Sequence, residues 1–383
     1  MPENAPDLHS LAAYQAVVVG AGPVGCILAE RLASELNWKV LLLDKRSHIG
    51  GNCYDKLHES GVLIHRYGPH YFRTNNPALL DYLSRFTDWI EGNYFVKSAA
   101  RNELFPFPIN LNTLRQFFRM PDLDAESANA LLQERREPIE DPQNSEEFVL
   151  SRVGQEMYET FYLNYTLKQW GIHPRDLAPS VCGRIPIRFN EDERYVDHQF
   201  QKTPAEGFTA MFRKMINHPN ITLALETDYR SLKELLTPDQ LLIYTGPIDE
   251  YFDYSNGRLP WRSLKFEFKA VPEAYVQPCV QINYPNEHDY TRTVEIKHVT
   301  GQQHPHTVIS YEYPTAEGDP YYPIPMPENA ALYETYAQLA AEESARKPVY
   351  FCGRLAEYRY FNMDEVMERA LATFQTLQQR FGH

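Results

Sequence analysis

The amino-acid sequence predicts an α/β protein in which one domain is assembled from separated stretches of the chain. Near the start, a short apolar strand runs into a G-x-G-x-x-G turn and an apolar-patterned helix, an order typical of a parallel sheet. Residues 111 to about 165 have a helical pattern, and from residue 264 the strands lengthen and alternate. Because α/β segments return in the middle and at the end, we predict a discontinuous Rossmann-like domain with an inserted helical bundle and an inserted antiparallel β-sheet domain.

The turn at residues 20–25 has the features of a dinucleotide-binding site. Gly20 permits a tight turn, Gly22 lets the backbone approach a pyrophosphate, and Gly25 allows the helix to pack against the strand. The second predicted strand ends on Asp44, whose carboxylate can accept ribose hydroxyl groups. The order of strand, turn, helix, strand and acid therefore favours a dinucleotide site. The alternative is a glycine-rich turn in an ordinary βαβ unit.

The composition excludes several classes of protein. The 383 residues carry a formal net charge of −14, which leaves no basic excess for nucleic acid or an anionic membrane. Apolar runs stay short of the ~20 residues that a membrane helix requires. The five cysteines are odd in number and lack metal-type spacing, which predicts a reduced, cytoplasmic chain without a zinc site. The first sixteen residues lack the basic-then-apolar order of a signal peptide, and Met1 to Leu11 is expected to be a loose tail.

A second glycine pair follows the acidic strand end. Gly50, Gly51 and Asn52 again suit a backbone that lies close to a phosphate-bearing ligand. This placement resembles flavoproteins of the glutathione-reductase-like family, so it favours FAD over a nicotinamide cofactor. The alternative is a plain surface turn.

Two further segments hold candidate ligand-binding side chains. The predicted helical insertion ends in an aromatic stretch with Phe161, Tyr165 and Trp170, and Trp170 beside a glycine suits a stacking surface better than the core. The proline-rich segment 171–194 contains four arginines, including Arg184. This segment is either a mobile loop that holds an anionic ligand or a solvated loop paired with its own acids, and composition favours neither.

The last part of the chain predicts strands at 264–269, 279–284, 291–297 and 307–313, with Arg292 at the start of the third. A buried strand then ends at Gly353 and Arg354, and a terminal helix begins at Met363 with its amides available to a ligand. We assign residues 1–88, 201–246 and 328–383 to the FAD-binding α/β domain and 111–170 to the helical domain. The sheet domain takes 89–110, 171–200 and 247–327, with a mobile loop at about 172–190.

Ordered motifs along the chain resemble one family. They read G-A-G-x-x-G, G-G-N, Y-G-P-H, P-I-N-L, Y-T-L-K-Q-W-G, Y-T-R, Y-Y-P-I and G-R-L-A-E-Y-R-Y-F-N-M-D, from about Tyr14 to Phe381. On these motifs the chain resembles the bacterial UDP-galactopyranose mutase family.

The resemblance implies a cytoplasmic isomerase, commonly a homodimer, that interconverts UDP-galactopyranose and UDP-galactofuranose for galactofuranose-containing surface glycans. It implies non-covalently bound FAD that is active when reduced, with NAD(P)H or another donor as the reductant. In this family N5 of the reduced flavin forms an adduct with the sugar. The cofactor therefore supplies covalent catalysis, and the protein supplies position and electrostatics.

The resemblance also implies roles for individual residues. Arg184 and Arg292 match the pair that holds the diphosphate, and with His70 beside the flavin they are the candidate catalytic residues; without the resemblance, a lone histidine such as His70 is more often structural. The substrate-binding positions are matched by Phe161, Tyr165, Trp170, Arg184, Tyr195, Asn283, Arg292, Tyr322 and Tyr360. The flavin-binding positions are matched by Gly20, Gly22, Pro23, Gly25, Asp44, Gly51, Asn52, Arg66, Tyr229, Gly353, Arg354, Asn362 and Met363.

Two positions depart from the family pattern. Arg73 stands where the motif Y-G-P-H-I-F-H-T has its second histidine, and Asn362 stands where the motif Y-L-D-M has aspartate. Both changes add positive charge near the expected pocket, which leaves the exact sugar open. The alternatives are a mutase for a related sugar nucleotide, an amine-oxidase-like flavin oxidoreductase, and a flavin-binding protein without catalysis.

Overall fold

The computed structural model describes residues 8–382. The strands are β1 (Ala16–Val19), β2 (Val40–Leu43), β3 (Asp55–Leu57), β4 (Leu63–His65), β5 (Phe72–Thr74), β6 (Trp89–Glu91), β7 (Val96–Ala100), β8 (Glu103–Phe107), β9 (Phe200–Pro204), β10 (Ile221–Ala224), β11 (Leu241–Tyr244), β12 (Trp261–Val271), β13 (Gln281–Asn283), β14 (Arg292–Val294), β15 (Thr307–Thr315), β16 (Tyr322–Pro323) and β17 (Val349–Phe351). The helices are α1 (Pro23–Glu35), α2 (Pro77–Ser84), α3 (Leu111–Phe118), α4 (Ala125–Arg135), α5 (Ser145–Met157), α6 (Asn164–Trp170), α7 (Ser180–Gly183), α8 (Phe208–Met215), α9 (Ile248–Tyr251), α10 (Lys297–Thr300), α11 (Pro327–Arg346) and α12 (Met363–Phe381). None of the helices in this part of the chain is both long and apolar enough to cross a bilayer.

The glycine motif lies on a five-stranded parallel sheet with the strand order β10-β2-β1-β11-β17. Every residue of β1, β2 and β11 is buried, as continuous apolar strands require when both faces are covered. One face packs into a core that includes Leu28, Phe212 and Phe374, and the other packs against Tyr229 and Tyr251. Strands from the start, middle and end of the chain meet in this sheet, so the predicted discontinuous α/β fold is confirmed.

A seven-stranded sheet with the order β16-β12-β15-β14-β13-β7-β8 forms the second architecture. Its pairs are antiparallel, as predicted, apart from the parallel pair β7–β13. The strand expected over residues 291–297 ends at Val294, and α10 follows. Local hydrogen bonds explain the difference. Buried Glu295 accepts a hydrogen bond from the amide of Gln277, and Lys297 Nζ donates to three carbonyl oxygens. These hydrogen bonds hold both side chains away from the sheet, so the strand ends before them.

The helical insertion contains α3 to α6, and the helical pattern that was predicted to run to about residue 165 is interrupted twice after α5 begins. Gly154 has a φ of +77°, and a Cβ there would lie 2.2 Å from the carbonyl oxygen of Arg135 at the end of α4. Tyr158–Leu163 then forms a π-helical segment, a feature often found near functional sites. After α6, Gly171 adopts a φ of +68° and ends the helix at Trp170. Close contact between two helices causes the first interruption, and periodicity does not reveal such a contact.

The N-terminal segment differs from the expected loose tail. Residues 1–7 lie outside the described residues, whereas Leu8–Ala13 forms a 3-10 helix and Leu11 is buried against the parallel sheet. Gln240 Nε2 donates to the carbonyl oxygens of Leu11 and Tyr14. One buried leucine and two hydrogen bonds therefore hold this segment in place.

Candidate active site

Two glycine turns meet at the carboxyl end of the parallel sheet. Gly20 follows β1 with a φ of +100°, and a Cβ on Gly25 would lie 1.8 Å from the carbonyl oxygen of Gly20. A Cβ on Gly51 would lie 3.0 Å from Cα of Gly22, so the second turn packs its backbone directly against the first. This cradle of bare backbone lies at the N-terminus of α1 and fits a diphosphate group.

The acidic end of β2 completes one side of the cradle. Asp44 Oδ2 accepts from the amide of Ala21 at 2.8 Å, and Oδ1 accepts from the amide of Arg46 at 2.8 Å. Each oxygen keeps a lone pair for a ribose hydroxyl group. The side chain of Arg46 donates to Asn52 Oδ1 at 3.0 Å, which links the second glycine turn to this corner.

The C-terminal part of the chain forms the other side. Gly353 has a φ of +106°, and a Cβ there would lie 3.2 Å from Cγ2 of Val24 in α1. Arg354 donates to the carbonyl oxygens of Phe361 at 2.5 Å and Tyr321 at 3.2 Å, so it joins the start of α12 to the seven-stranded sheet. The cradle and these groups together fit a flavin dinucleotide.

A cavity of about 690 Å³ adjoins the cradle, with walls from the seven-stranded sheet, the helical insertion and α12. It brings together most of the predicted side chains, namely Asn52, His70, Phe161, Tyr165, Trp170, Arg184, Tyr195, Asn283, Arg292, Tyr322, Arg354, Tyr360, Asn362 and Met363. The remaining cradle positions are Gly20, Gly22, Pro23, Gly25, Asp44, Gly51 and Gly353.

Two predicted flavin-binding residues lie apart from the cavity lining. The Arg66 guanidinium covers the rings of Tyr67 and Phe268, and its amide donates to the carbonyl of Tyr54. Tyr229 is buried in an aromatic cluster on the far face of the parallel sheet, where it stacks on Tyr251. A flavin contact from either residue therefore remains a prediction.

Arg292 is held by a buried acid. Its Nε donates to Glu312 Oε2 at 2.6 Å, and the Glu312 side chain has no solvent exposure. Burial raises the pKa of Glu312, although the guanidinium opposes that shift. Because Glu312 accepts only from Nε of Arg292, the other donors of Arg292 are available to a ligand in the cavity that Arg292 lines.

Arg184 has a different environment. Its guanidinium lies 4.8 Å from the centroid of the Tyr360 ring, and no carboxylate of residues 8–382 lies within 4.0 Å of it. The side chain is surrounded by protein groups yet open to solvent through the cavity. A cation without an acidic partner in such a place favours binding of an anionic ligand.

Tyr360 lies among several arginines. It stacks on Tyr322 with ring centroids 5.8 Å apart, and Arg354 covers its ring at 5.2 Å. Burial would raise the pKa of Tyr360, but Arg184 and Arg354, followed by two further arginines, outweigh burial and lower it. The positive potential that shifts this phenol also favours a diphosphate in the cavity.

His70 is neutral and has a defined tautomer. Its Nδ1 lies 2.8 Å from the carbonyl oxygen of Gly68, which can only accept, so Nδ1 carries the proton and Nε2 is left as an acceptor. Its amide donates to Nδ1 of His65 at 2.9 Å. Burial, and then the neighbouring His65, lower the pKa of His70 to about 3.

Glu312 was missed by sequence reasoning. It lies directly opposite Arg292 in the antiparallel pair of β14 and β15, and cross-strand partners of opposite charge stabilise each other. The signal was a single acid in a strand that has no other charged residue. Only the strand register shows that this acid faces Arg292, and the register is not readable from the sequence.

Comparison with known proteins agrees with this geometry. A family model described as UDP-galactopyranose mutase matches residues 160–360, and one described as an NAD(P)-binding Rossmann-like domain matches residues 18–86. The chain is 38% identical to a probable UDP-galactopyranose mutase from Klebsiella pneumoniae, over 93% of each chain. It is 35% identical to a dTDP-fucopyranose mutase from Escherichia coli, over 94% of this chain and 97% of that one.

A solved structure shares the fold. The crystal structure of a reduced UDP-galactopyranose mutase matches with a TM-score of 0.71 and 16% identity, over 97% of this chain and 96% of that one. The resemblance noted in the motifs is therefore confirmed by a family model, by relatives that span nearly the whole chain and by the fold. The chain belongs to the UDP-galactopyranose mutase family.

Proposed function

We propose that this protein is a flavin-dependent isomerase that interconverts the pyranose and furanose forms of UDP-galactose. The observation that carries the proposal is the pair Arg184 and Arg292 in one cavity beside a flavin-type cradle, in a chain with a net charge of −14. A strongly acidic protein that concentrates arginines in one cavity favours an anionic ligand at that place. A nucleoside diphosphate sugar has such a group.

The cofactor would be held by the glycine cradle, Asp44, Asn52 and the start of α12. FAD in its reduced form would supply a nucleophile for the anomeric carbon of the sugar. Neutral His70 offers an acceptor at Nε2 toward the cavity, and its Nδ1 proton is held by Gly68. His70 is thus suited to accept a hydrogen bond from a ligand without becoming charged.

The arginines would stabilise the departing diphosphate. Arg292 is oriented by Glu312 before any ligand binds, and Arg184 reaches the cavity from a loop with only short helical turns. We propose that this loop, about residues 172–190, closes over the substrate and excludes water. Removing one such contact costs about 2–4 kcal/mol of transition-state stabilisation, or roughly 30- to 1000-fold in kcat/KM.

A second candidate substrate should be assayed in parallel. The Escherichia coli relative is named for dTDP-fucopyranose, and Arg73 and Asn362, which depart from the common family motifs, both line the cavity. A related deoxyhexose nucleotide is therefore the second candidate. The aromatic wall of Phe161, Tyr165 and Trp170 suits stacking of either pyrimidine base.

The test is conversion of UDP-galactofuranose by the purified FAD-loaded protein, with and without dithionite, resolved by chromatography. Conversion to UDP-galactopyranose only after reduction is expected. Arg184→Ala and Arg292→Ala should lose activity while the flavin stays bound, and Arg175→Ala, on an exposed residue of the same loop, should not.

Other outcomes separate the alternatives. Conversion of dTDP-fucofuranose alone would support the second candidate. Oxygen consumption with net oxidation of the sugar would support an oxidoreductase and overturn the mutase.

A further inference from the structure

Lys168 connects two walls of the cavity. Its Nζ donates to the carbonyl oxygens of His288 at 2.7 Å and Tyr290 at 3.3 Å, and also to that of Tyr284. These carbonyls belong to the hairpin turn between β13 and β14. Within residues 8–382, no carboxylate lies within 4.0 Å of Nζ, so the ammonium group serves the backbone of this turn rather than an ion pair.

Both partners carry predicted substrate-binding residues. Asn283 and Arg292 are paired in register at the two ends of the hairpin, and both line the cavity. Tyr165 and Trp170 lie on α6 on either side of Lys168, and they line the same cavity. The lysine therefore links the helix that carries the aromatic wall to the hairpin that carries Arg292.

The helix side of this connection is rigid. Arg262 in β12 donates from Nη2 to the carbonyl oxygen of Lys168 at 3.0 Å and from Nε to that of Gln169 at 2.9 Å, which caps the end of α6. On the hairpin side, the other contacts are weaker. In exposed positions, Asn286 accepts from Asn164 Nδ2 at 2.9 Å and donates to the carbonyl oxygen of Thr160 at 3.1 Å, and Thr291 reaches the side chain of Gln169 at 3.4 Å.

We infer that Lys168 is a positioning residue that sets the affinity for the nucleoside diphosphate by holding the hairpin of Arg292 against α6. The inference rests on the proposed function, because it concerns the same cavity. Three donors are needed for three carbonyl oxygens, and only the protonated amine has three.

The charge state of Lys168 gives the inference a pH signature. Burial lowers the pKa of Lys168 to about 8, although Glu287 and Asp289 of the hairpin raise it. Three further titratable side chains belong to the residues whose carbonyls it binds, Tyr284, His288 and Tyr290, and the guanidinium of Arg262 caps the carbonyl of Lys168. Above pH 8 the neutral amine donates two protons at most, so one carbonyl loses its partner and the turn is held less firmly against α6.

The experiment measures UDP binding to the oxidised, FAD-loaded protein by calorimetry from pH 7 to pH 9.5. Wild type is expected to bind at pH 7 and to weaken by about tenfold as the pH passes 8. Lys168→Met should bind UDP about tenfold more weakly than wild type at pH 7, and its affinity should show no further decrease as the pH passes 8. Lys168→Arg stays charged, so it should restore tight binding and keep it at pH 9.5.

The control is Lys265→Met, which removes an exposed lysine from β12 and should leave the curve unchanged. Equal affinity of Lys168→Met and wild type at pH 7 would overturn the inference, as would a step at pH 8 that persists in Lys168→Arg. If Lys168→Met fails to fold, the pH dependence of UDP binding by wild type and by Lys168→Arg still tests the inference. Failure of wild type to bind UDP at any pH would instead contradict the proposed function.

Discussion

Arg73 Nη2 donates a hydrogen bond to Asn362 Oδ1 at 2.8 Å, although the two residues lie 289 positions apart in the chain. These are the two positions that depart from the common family motifs. Arg73 also donates to the hydroxyl of Tyr71 at 2.8 Å, and both partners line the cavity. The two departures are therefore one structural unit, in which the neutral amide at the N-terminus of α12 accepts from a guanidinium.

This unit predicts coupling between the two positions. Arg73→Met and Asn362→Ala each remove the same hydrogen bond. The double variant should therefore lose less free energy of unfolding than the two single variants lose in sum. For a hydrogen bond to a charged group we expect a coupling of about 1.5–3 kcal/mol. Urea unfolding of the four proteins measures it, and additivity within a few tenths of a kcal/mol would contradict the pairing.

The buried pair of Arg292 and Glu312 predicts a large loss of stability. Glu312→Ala leaves a guanidinium without its charged partner in a place where Arg292 has only 17% side-chain exposure. Breaking a buried pair in this way costs about 3–5 kcal/mol. The free energy of unfolding from denaturant curves tests this. Glu267→Ala, on the exposed part of β12, is the control and should leave the denaturation midpoint unchanged. An equal loss of unfolding free energy in both variants would refute the role of Glu312.

Replacing one glycine of the cradle with alanine is expected to abolish binding of the cofactor. In Gly25→Ala the new Cβ would lie 1.8 Å from the carbonyl oxygen of Gly20, so α1 must move away from β1. We expect protein purified without bound flavin, measured by the ratio of flavin to protein absorbance. Gly92→Ala is the matched control, since its Cβ would meet only a carbonyl oxygen at 3.8 Å. A yellow Gly25→Ala protein would show that the cradle does not hold the cofactor.

His65 predicts a dependence of stability on pH. Burial lowers its pKa to about 3, and Nδ1 accepts from the amide of His70. An unfolded histidine has a pKa of about 6.5. Between these values the unfolded chain binds a proton that the native protein does not, so stability falls as the pH decreases through this window, by up to about 1.4 kcal/mol per pH unit.

His65→Asn should flatten that curve. The Oδ1 atom of asparagine can replace Nδ1 as the acceptor, and asparagine does not titrate. Unfolding free energies at pH 4, 5, 6 and 7 should therefore show a slope reduced by about one proton relative to the parent. An unchanged slope would mean that native His65 is already protonated in this range.

Local patterns were sufficient for the glycine turn and the elements around it. The glycine turn, α1, β2 and Asp44 lie within 31 residues, from 14 to 44, and each step depends on the conformation of near neighbours, so sequence reasoning placed them correctly. The aromatic end of the helical insertion was also visible from residue types. The interruption of the helix at Gly154 was not, because it depends on a contact with α4.

The sequence by itself thus determined the fold class, the cradle and which side chains are candidates for the cavity. Only the tertiary structure decided which of them meet. Glu312 reaches Arg292 through strand register, Asn362 reaches Arg73 from the far end of the chain, and Lys168 reaches a hairpin that is 116 to 122 residues away. Such contacts depend on how distant elements pack and align, which no local pattern of residues encodes.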